Sequence, residues 1–169
     1  MQTDIPAKNC ILDEERIKRA IRRMAFQIAE NNAEETSVTI AGVVGNGTVV
    51  AAKLIAELKQ IIDLPIVAVT IDLNKRAPLH ATVSEVLNFS GHVIIIVDDV
   101  SNTGKTLLYA LKPFLDFEPK KIQTLVLVER SHKLFAVQPD YVGLSVATTL
   151  QEHISVEVEG DVIKGAWLH

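Results

Sequence analysis

The stretch Val93–Thr106 reads V-I-I-I-V-D-D-V-S-N-T-G-K-T and sets two adjacent carboxylates, Asp98 and Asp99, just ahead of Thr103-Gly104-Lys105-Thr106. A continuous run of β-branched residues of this length suits a strand buried on both faces, as in a parallel sheet. Acids at its carboxyl end would lie at the rim where open α/β folds bind ligands. The short polar loop that follows, with Ser101 and Asn102 in it, opens a helical pattern at Leu107. Backbone N–H groups at such a junction favour a phosphate. Hydroxyl-binding carboxylates beside a phosphate cradle describe a site for a phosphorylated sugar. A plainer alternative is a strand ending in a solvated acidic turn capped by Thr103. It accounts for the turn but not for two carboxylates preceding Gly-Lys-Thr. The nucleotide P-loop also ends in Gly-Lys-Thr, but it requires a glycine five residues before Gly104, where Asp99 stands.

The elements that must position these residues alternate between strand and helix patterns, which points to α/β architecture with a mainly parallel sheet. Asp13 is placed to cap a helix over Glu14–Asn31, whose Ile17, Ile21, Met24 and Ile28 form one apolar face. Val38–Val44 reads as a strand, Gly45-Asn46-Gly47 as a tight turn, and Thr48 as the cap of a helix over Val49–Ile61. Leu64-Pro65 stops that helix, and Ile66–Leu73 reads as the next strand. Asn74–Gly91 is less regular and is expected to contain a hairpin. After the acid-bearing strand come a helix over Lys105–Leu115 and a strand over Ile122–Val128. The tail from Ser131 is mixed and is expected to fold over the site. There is no internal repeat, low-complexity tract or interdomain linker, so residues 1–169 read as a single domain.

The 169 residues are 48% hydrophobic, enough for a sizeable core. A net charge of −4 argues against bulk attraction to nucleic acid or anionic membrane, although a local basic patch is compatible with it. The lone cysteine, Cys10, excludes an intramolecular disulfide and fits a reducing compartment. Met1–Asn9 is polar and lacks the apolar segment of a secretory signal, and no apolar run is long enough to span a bilayer. A cytoplasmic protein is expected. Three glycines in Ala41–Thr48, A-G-V-V-G-N-G-T, would let backbone amides approach an anion.

The acid pair followed by Thr-Gly-x-Thr resembles the PRPP-binding signature of the type I phosphoribosyltransferases (PRPP, 5-phosphoribosyl 1-pyrophosphate). In that family the acids bond the ribose 2′- and 3′-hydroxyls and the loop wraps the 5′-phosphate. The resemblance therefore implies that Asp98 and Asp99 hold the ribose and that Ser101, Asn102, Thr103, Gly104, Lys105 and Thr106 hold the phosphate. Gly45, Asn46, Gly47, Thr48 and Lys75 would face the pyrophosphate. The fold implied is a mainly parallel sheet flanked by helices, with a small hood.

Further stretches are similar to the PyrR proteins, uracil phosphoribosyltransferases that can double as RNA-binding regulators of pyrimidine operons. They are Leu12-Asp13-Glu14, Ile17–Ile21, Val128-Glu129-Arg130-Ser131-His132, Pro139–Gly143 and Thr148-Thr149. They extend from about Leu12 to Val158, in the family's order. The resemblance implies PRPP and a nucleobase, uracil first, as substrates and Mg²⁺ bound largely through PRPP, with no dedicated metal cluster. It implies a homodimer, and Tyr141 and Val142 beside the base. A PRPP-sensing or RNA-binding regulator with little catalysis is the alternative. Its RNA face would be Lys18, Arg19, Arg22 and Arg23, on the polar side of the first helix and diluted by Glu15 and Glu30. Several positions depart from the PyrR pattern. Val44 and Asn46 stand where PyrR proteins carry loop arginines, Lys75 and Lys105 each replace an arginine, and the lid between Arg76 and Val93 is shortened. The roles of Glu129, Arg130 and His132 stay open.

Overall fold

The computed structural model describes residues 8–85 and 87–169. Residues 1–7, which carry most of the polar N-terminal reading, and residue 86, within the expected hairpin segment, lie outside the described residues. The strands are β1 (Asn9–Asp13), β2 (Val38–Val43), β3 (Ile66–Asp72), β4 (Thr82–Val83) and β5 (Val93–Ser101), followed by β6 (Lys121–Arg130), β7 (Tyr141–Val146), β8 (Ile154–Glu159) and β9 (Val162–Leu168). The helices are α1 (Glu14–Asn31), α2 (Asn46–Ile61) and α3 (Lys105–Ala110).

A six-stranded sheet runs β4-β3-β2-β5-β6-β7, parallel throughout except for the short edge strand β4. A separate antiparallel sheet, β1-β9-β8, forms the hood. β5 is central because its apolar run can be buried on both faces: Val93 to Val97 are at most 2% exposed. One face of the sheet packs α1, α2 and the hood through Met24, Ile28, Leu54 and Leu58, together with Ile154 and Val156. The other packs Phe89, Leu107 and Phe114.

Several boundaries differ from the sequence reading for local reasons. Asp13 caps α1 as expected, its Oδ1 accepting from Arg16 N at 2.8 Å. Thr48 is not a cap: α2 begins at Asn46 with Gly45 as N-cap, and Thr48 Oγ1 donates back to Gly45 O at 2.7 Å. Gly45 permits this early start because its φ is +104°, open to glycine at little cost. α3 stops at Ala110, and a 3-10 turn over Lys112–Phe114 follows, because Pro113 lacks the N–H a continuing helix needs. The expected hairpin is made by β4 folding back on β3 (Asp72↔Thr82), so half of it lies in the preceding strand. β1 was not foreseen. Its alternation is short, and pairing with distant β9 is what makes it a strand.

Candidate active site

β5 does not end at the acids. Its ladder with β6 continues through Val100↔Val128 and Ser101↔Glu129, so Asp98 and Asp99 belong to the strand itself. They are 1% and 9% exposed, which rejects the solvated acidic turn. Two buried carboxylates side by side need compensation. Lys75, on the loop after β3, supplies much of it, with Nζ 3.1 Å and 3.2 Å from the two oxygens of Asp98 and 3.7 Å from Asp99 Oδ1. Asn46, at the start of α2, donates from Nδ2 to Asp99 Oδ2 at 3.0 Å and to Val156 O on β8 at 2.9 Å. Backbone N–H groups of Asp99 and Val100 reach Asp98 Oδ1 and Asp99 Oδ1, each at 2.9 Å. Burial first, then the charge of Asp99, pushes the Asp98 carboxyl up to about 7 against the opposing pull of Lys75. Burial by itself would lower the Lys75 ammonium, but the attraction of Asp98 and Asp99 outweighs it and the pKa is raised.

These groups line one cleft of ≈ 470 Å³, with Asn46, Lys75, Asp98, Asp99 and Val100–Leu107 on the sheet side and His153, Ile154, Ser155 and Val156 on the hood side. Ser101 Oγ and Asn102 Oδ1 are buried with no hydrogen-bond partner among the described residues, so two polar atoms at the cleft await one. Thr103 holds the loop shape: its Oγ1 accepts from Lys105 N at 3.3 Å, and its carbonyl accepts from Leu134 N and Phe135 N, each at 3.0 Å. Gly104 has φ +86°, and a Cβ there would lie 3.0 Å from Val137 O, so glycine is required by both conformation and packing.

The structure does not gather every expected site residue. Of Gly45, Asn46, Gly47 and Thr48, only Asn46 lines the cleft. Gly47 instead lets α2 press on β5, since a Cβ would sit 2.9 Å from Val97 O and 3.0 Å from Asp98 Oδ1. Tyr141 is in the core at the start of β7, its hydroxyl donating to Gln123 Oε1 and accepting from Asn31 Nδ2. Neither Tyr141 nor Val142 lines the cleft. Glu129 is buried and pairs with Lys133 at 3.2 Å, Lys133 reaching back to Arg130 O, while Arg130 braces Thr148 and Thr149. His132 is exposed and does not line the cleft. The expected RNA face carries intramolecular contacts: Lys18 with Glu14, Arg19 with Glu15, Arg22 with Glu57, and Arg23 with the carbonyls of Val142 and Gly143. Among the described residues no group of three or more His, Cys, Asp or Glu could hold a metal ion, and no helix is long and apolar enough to cross a membrane.

The phosphoribosyl transferase domain model matches residues 8–159. The chain belongs to the phosphoribosyl transferase family. It is 36% identical over 160 residues to the Bifunctional protein PyrR of Haemophilus ducreyi, covering 88% of this chain and 89% of that one. It is 36% identical over 166 residues to that of a Roseiflexus species, covering 90% of each. Among solved structures, a hypoxanthine-guanine phosphoribosyltransferase of Bacillus anthracis superposes with a TM-score of 0.71 at 21% identity, covering 85% of each chain. The hypoxanthine phosphoribosyltransferase of Trypanosoma cruzi gives 0.72 at 20% identity, covering 82% of this chain and 81% of that one. The phosphoribosyltransferase fold is thereby established. In this phosphoribosyltransferase the sequence reading missed the hood wall, His153 to Val156. Ile154 to Val156 belong to the edge strand β8 and His153 precedes it, and only the tertiary fold brings them opposite the acids.

Proposed function

We propose that this domain transfers the 5-phosphoribosyl group of PRPP to a ring nitrogen of a pyrimidine, uracil first, releasing pyrophosphate. The observation that carries this reading is a single cleft combining a buried acid pair, the Lys75 ammonium paired to it, a Thr-Gly-Lys-Thr loop and an opposing strand edge. Asp98 and Asp99 accept hydrogen bonds from the ribose hydroxyls, and their fixed carboxylates orient the sugar. Ser101–Thr106 take the 5′-phosphate, with Lys105 supplying positive charge and the unpartnered Ser101 and Asn102 oxygens available to the ligand or its water. Lys75 leaves Asp98 to meet the pyrophosphate as the C1–oxygen bond breaks and the nitrogen–C1 bond forms, the proton displaced from that nitrogen passing to pyrophosphate or to solvent. Catalysis is mainly positioning and stabilisation of the departing charge.

The base lies against β8 rather than against Tyr141 and Val142, because Ile154, Ser155 and Val156 are the hood residues facing the acids. Asp98 and Asp99 are hard oxygen donors that suit Mg²⁺, which would be held chiefly by PRPP oxygens. When bound, that ion neutralises pyrophosphate charge. Uracil, PRPP and Mg²⁺ should together yield uridine 5′-monophosphate (UMP) and pyrophosphate, with the Asp98→Asn/Asp99→Asn variant inactive. Equal rates in wild type and variant would overturn the assignment.

A PRPP sensor with little turnover is the second reading. It is favoured by Val44, 45% exposed and apolar where PyrR proteins carry a loop arginine. PRPP binding without product from any of uracil, hypoxanthine and guanine would select it. RNA binding through α1 is compatible with the contacts there, since exposed ion pairs such as Lys18–Glu14 are weak, screened by salt and exchange readily for phosphate. A cytoplasmic homodimer is the assembly expected from the PyrR resemblance, and light scattering measures its mass directly.

A further inference from the structure

Asn46 stands where a cation is expected, yet its amide does not point to an empty pyrophosphate site. Its Nδ2 makes two contacts at once, 3.0 Å to Asp99 Oδ2 and 2.9 Å to Val156 O. The amide has two N–H donors, so both contacts are satisfied together. Asp99 Oδ1 is held from the other side by Val100 N at 2.9 Å, which fixes the carboxylate plane. Val156 lies on β8, an edge strand of the hood, with its side chain in the core. One small amide therefore ties the acid that faces the sugar to the strand that faces the base. Arginine, with its longer side chain and charged fork, would not make this short bridge in the same way.

We propose that Asn46 is a positioning residue that couples the sugar and base subsites of the cleft. By holding β8 at a fixed distance from Asp99, it sets the gap into which a base attached to, or approaching, the ribose must fit. A ligand that locks the Asp99 carboxylate in its bridging orientation strengthens the strut and steadies the base wall. By reciprocity, a base that steadies β8 favours sugar binding. This inference rests on the proposed assignment of the cleft and extends it to a residue whose expected role was a pyrophosphate contact.

The test compares ribose 5-phosphate, which occupies only the sugar-phosphate side, with UMP, which also reaches the hood. Each is titrated calorimetrically into the full chain. The informative quantity is the ratio of the two affinities. In Asn46→Ala, ribose 5-phosphate should bind within about threefold of wild type, while the advantage of UMP over it falls about tenfold, the effect of losing one bridging hydrogen bond. Asn46→Asp keeps the shape but sets carboxylate oxygens against Asp99 and Val156 O, so its loss should be larger. It serves if the alanine variant does not fold, with folding checked by thermal melting. An unchanged ratio in either folded variant overturns the coupling, as does an equal fall for both ligands, which would confine Asn46 to the sugar side. UMP binding no better than ribose 5-phosphate in wild type also overturns it, leaving the sugar-phosphate site intact. Failure of both ligands to bind wild type overturns the cleft assignment itself.

Discussion

Replacing Asp98 with asparagine should make the unliganded protein more stable at neutral pH while disabling its ligand site. Asp98 is 1% exposed, and its carboxyl is raised from 3.8 to about 7 by burial and by Asp99. Between those values the native chain holds a proton that the unfolded chain has lost. The contribution of this group to stability therefore falls as pH rises from about 4 to about 7, and is flat above. A shift of about three units, with the opposing pull of Lys75 already included in it, corresponds to roughly 4 kcal/mol at most. Asparagine mimics the protonated acid and keeps an oxygen for Asp99 N. Asp98→Asn should thus match wild type near pH 4 and melt higher near pH 8, by up to about 8–16 °C. Scanning calorimetry across this range, at constant ionic strength and without ligand, reads the difference. A difference that is flat with pH, or largest in acid, would refute the buried-carboxylate reasoning.

Other consequences follow from the same contacts. Gly104→Ala places a side chain at φ +86° and within 3.0 Å of Val137 O, and should cost about 1–3 kcal/mol, seen as a melting shift of roughly 3–8 °C; an unchanged melt would mean the loop adapts freely. Lys75→Ala removes the cation over Asp98 and should weaken PRPP about tenfold while leaving ribose 5-phosphate unchanged or tighter, by calorimetry; equal weakening of both would remove Lys75 from the pyrophosphate. Lys18→Glu with Arg19→Glu should abolish any RNA affinity in a filter-binding assay and leave PRPP binding intact. This pair is preferable to one containing Arg23, which anchors Val142 O and Gly143 O and would disturb β7.

Much of this was legible in the sequence wherever one residue type meets one physical demand. The unbroken run from Val93 marked the central strand, Asp13 marked the start of α1, and the acid pair before Thr-Gly-Lys-Thr marked the cleft. What stayed hidden depends on distant pairing. Gly47 looked like a phosphate-loop glycine, but its cause is the approach of α2 to β5, which no local pattern encodes. Tyr141 and Val142 are expected beside the base through the resemblance alone, and their place on β7, with the Tyr141 hydroxyl bonded to Asn31 and Gln123, depends on the packing of distant elements. The hood wall at Ile154–Val156 contributes to the cleft by its position as an edge strand, so its composition gave no sign.

The most direct test of the sugar-phosphate assignment is a calorimetric titration of PRPP into wild type and into Asp98→Asn/Asp99→Asn, each with and without Mg²⁺. The cleft predicts one site per chain in wild type, tighter with Mg²⁺, and a loss of at least about tenfold in the double variant. Absence of binding at about millimolar PRPP, a range already weak for a specific ligand, or equal affinity in the variant, would contradict it.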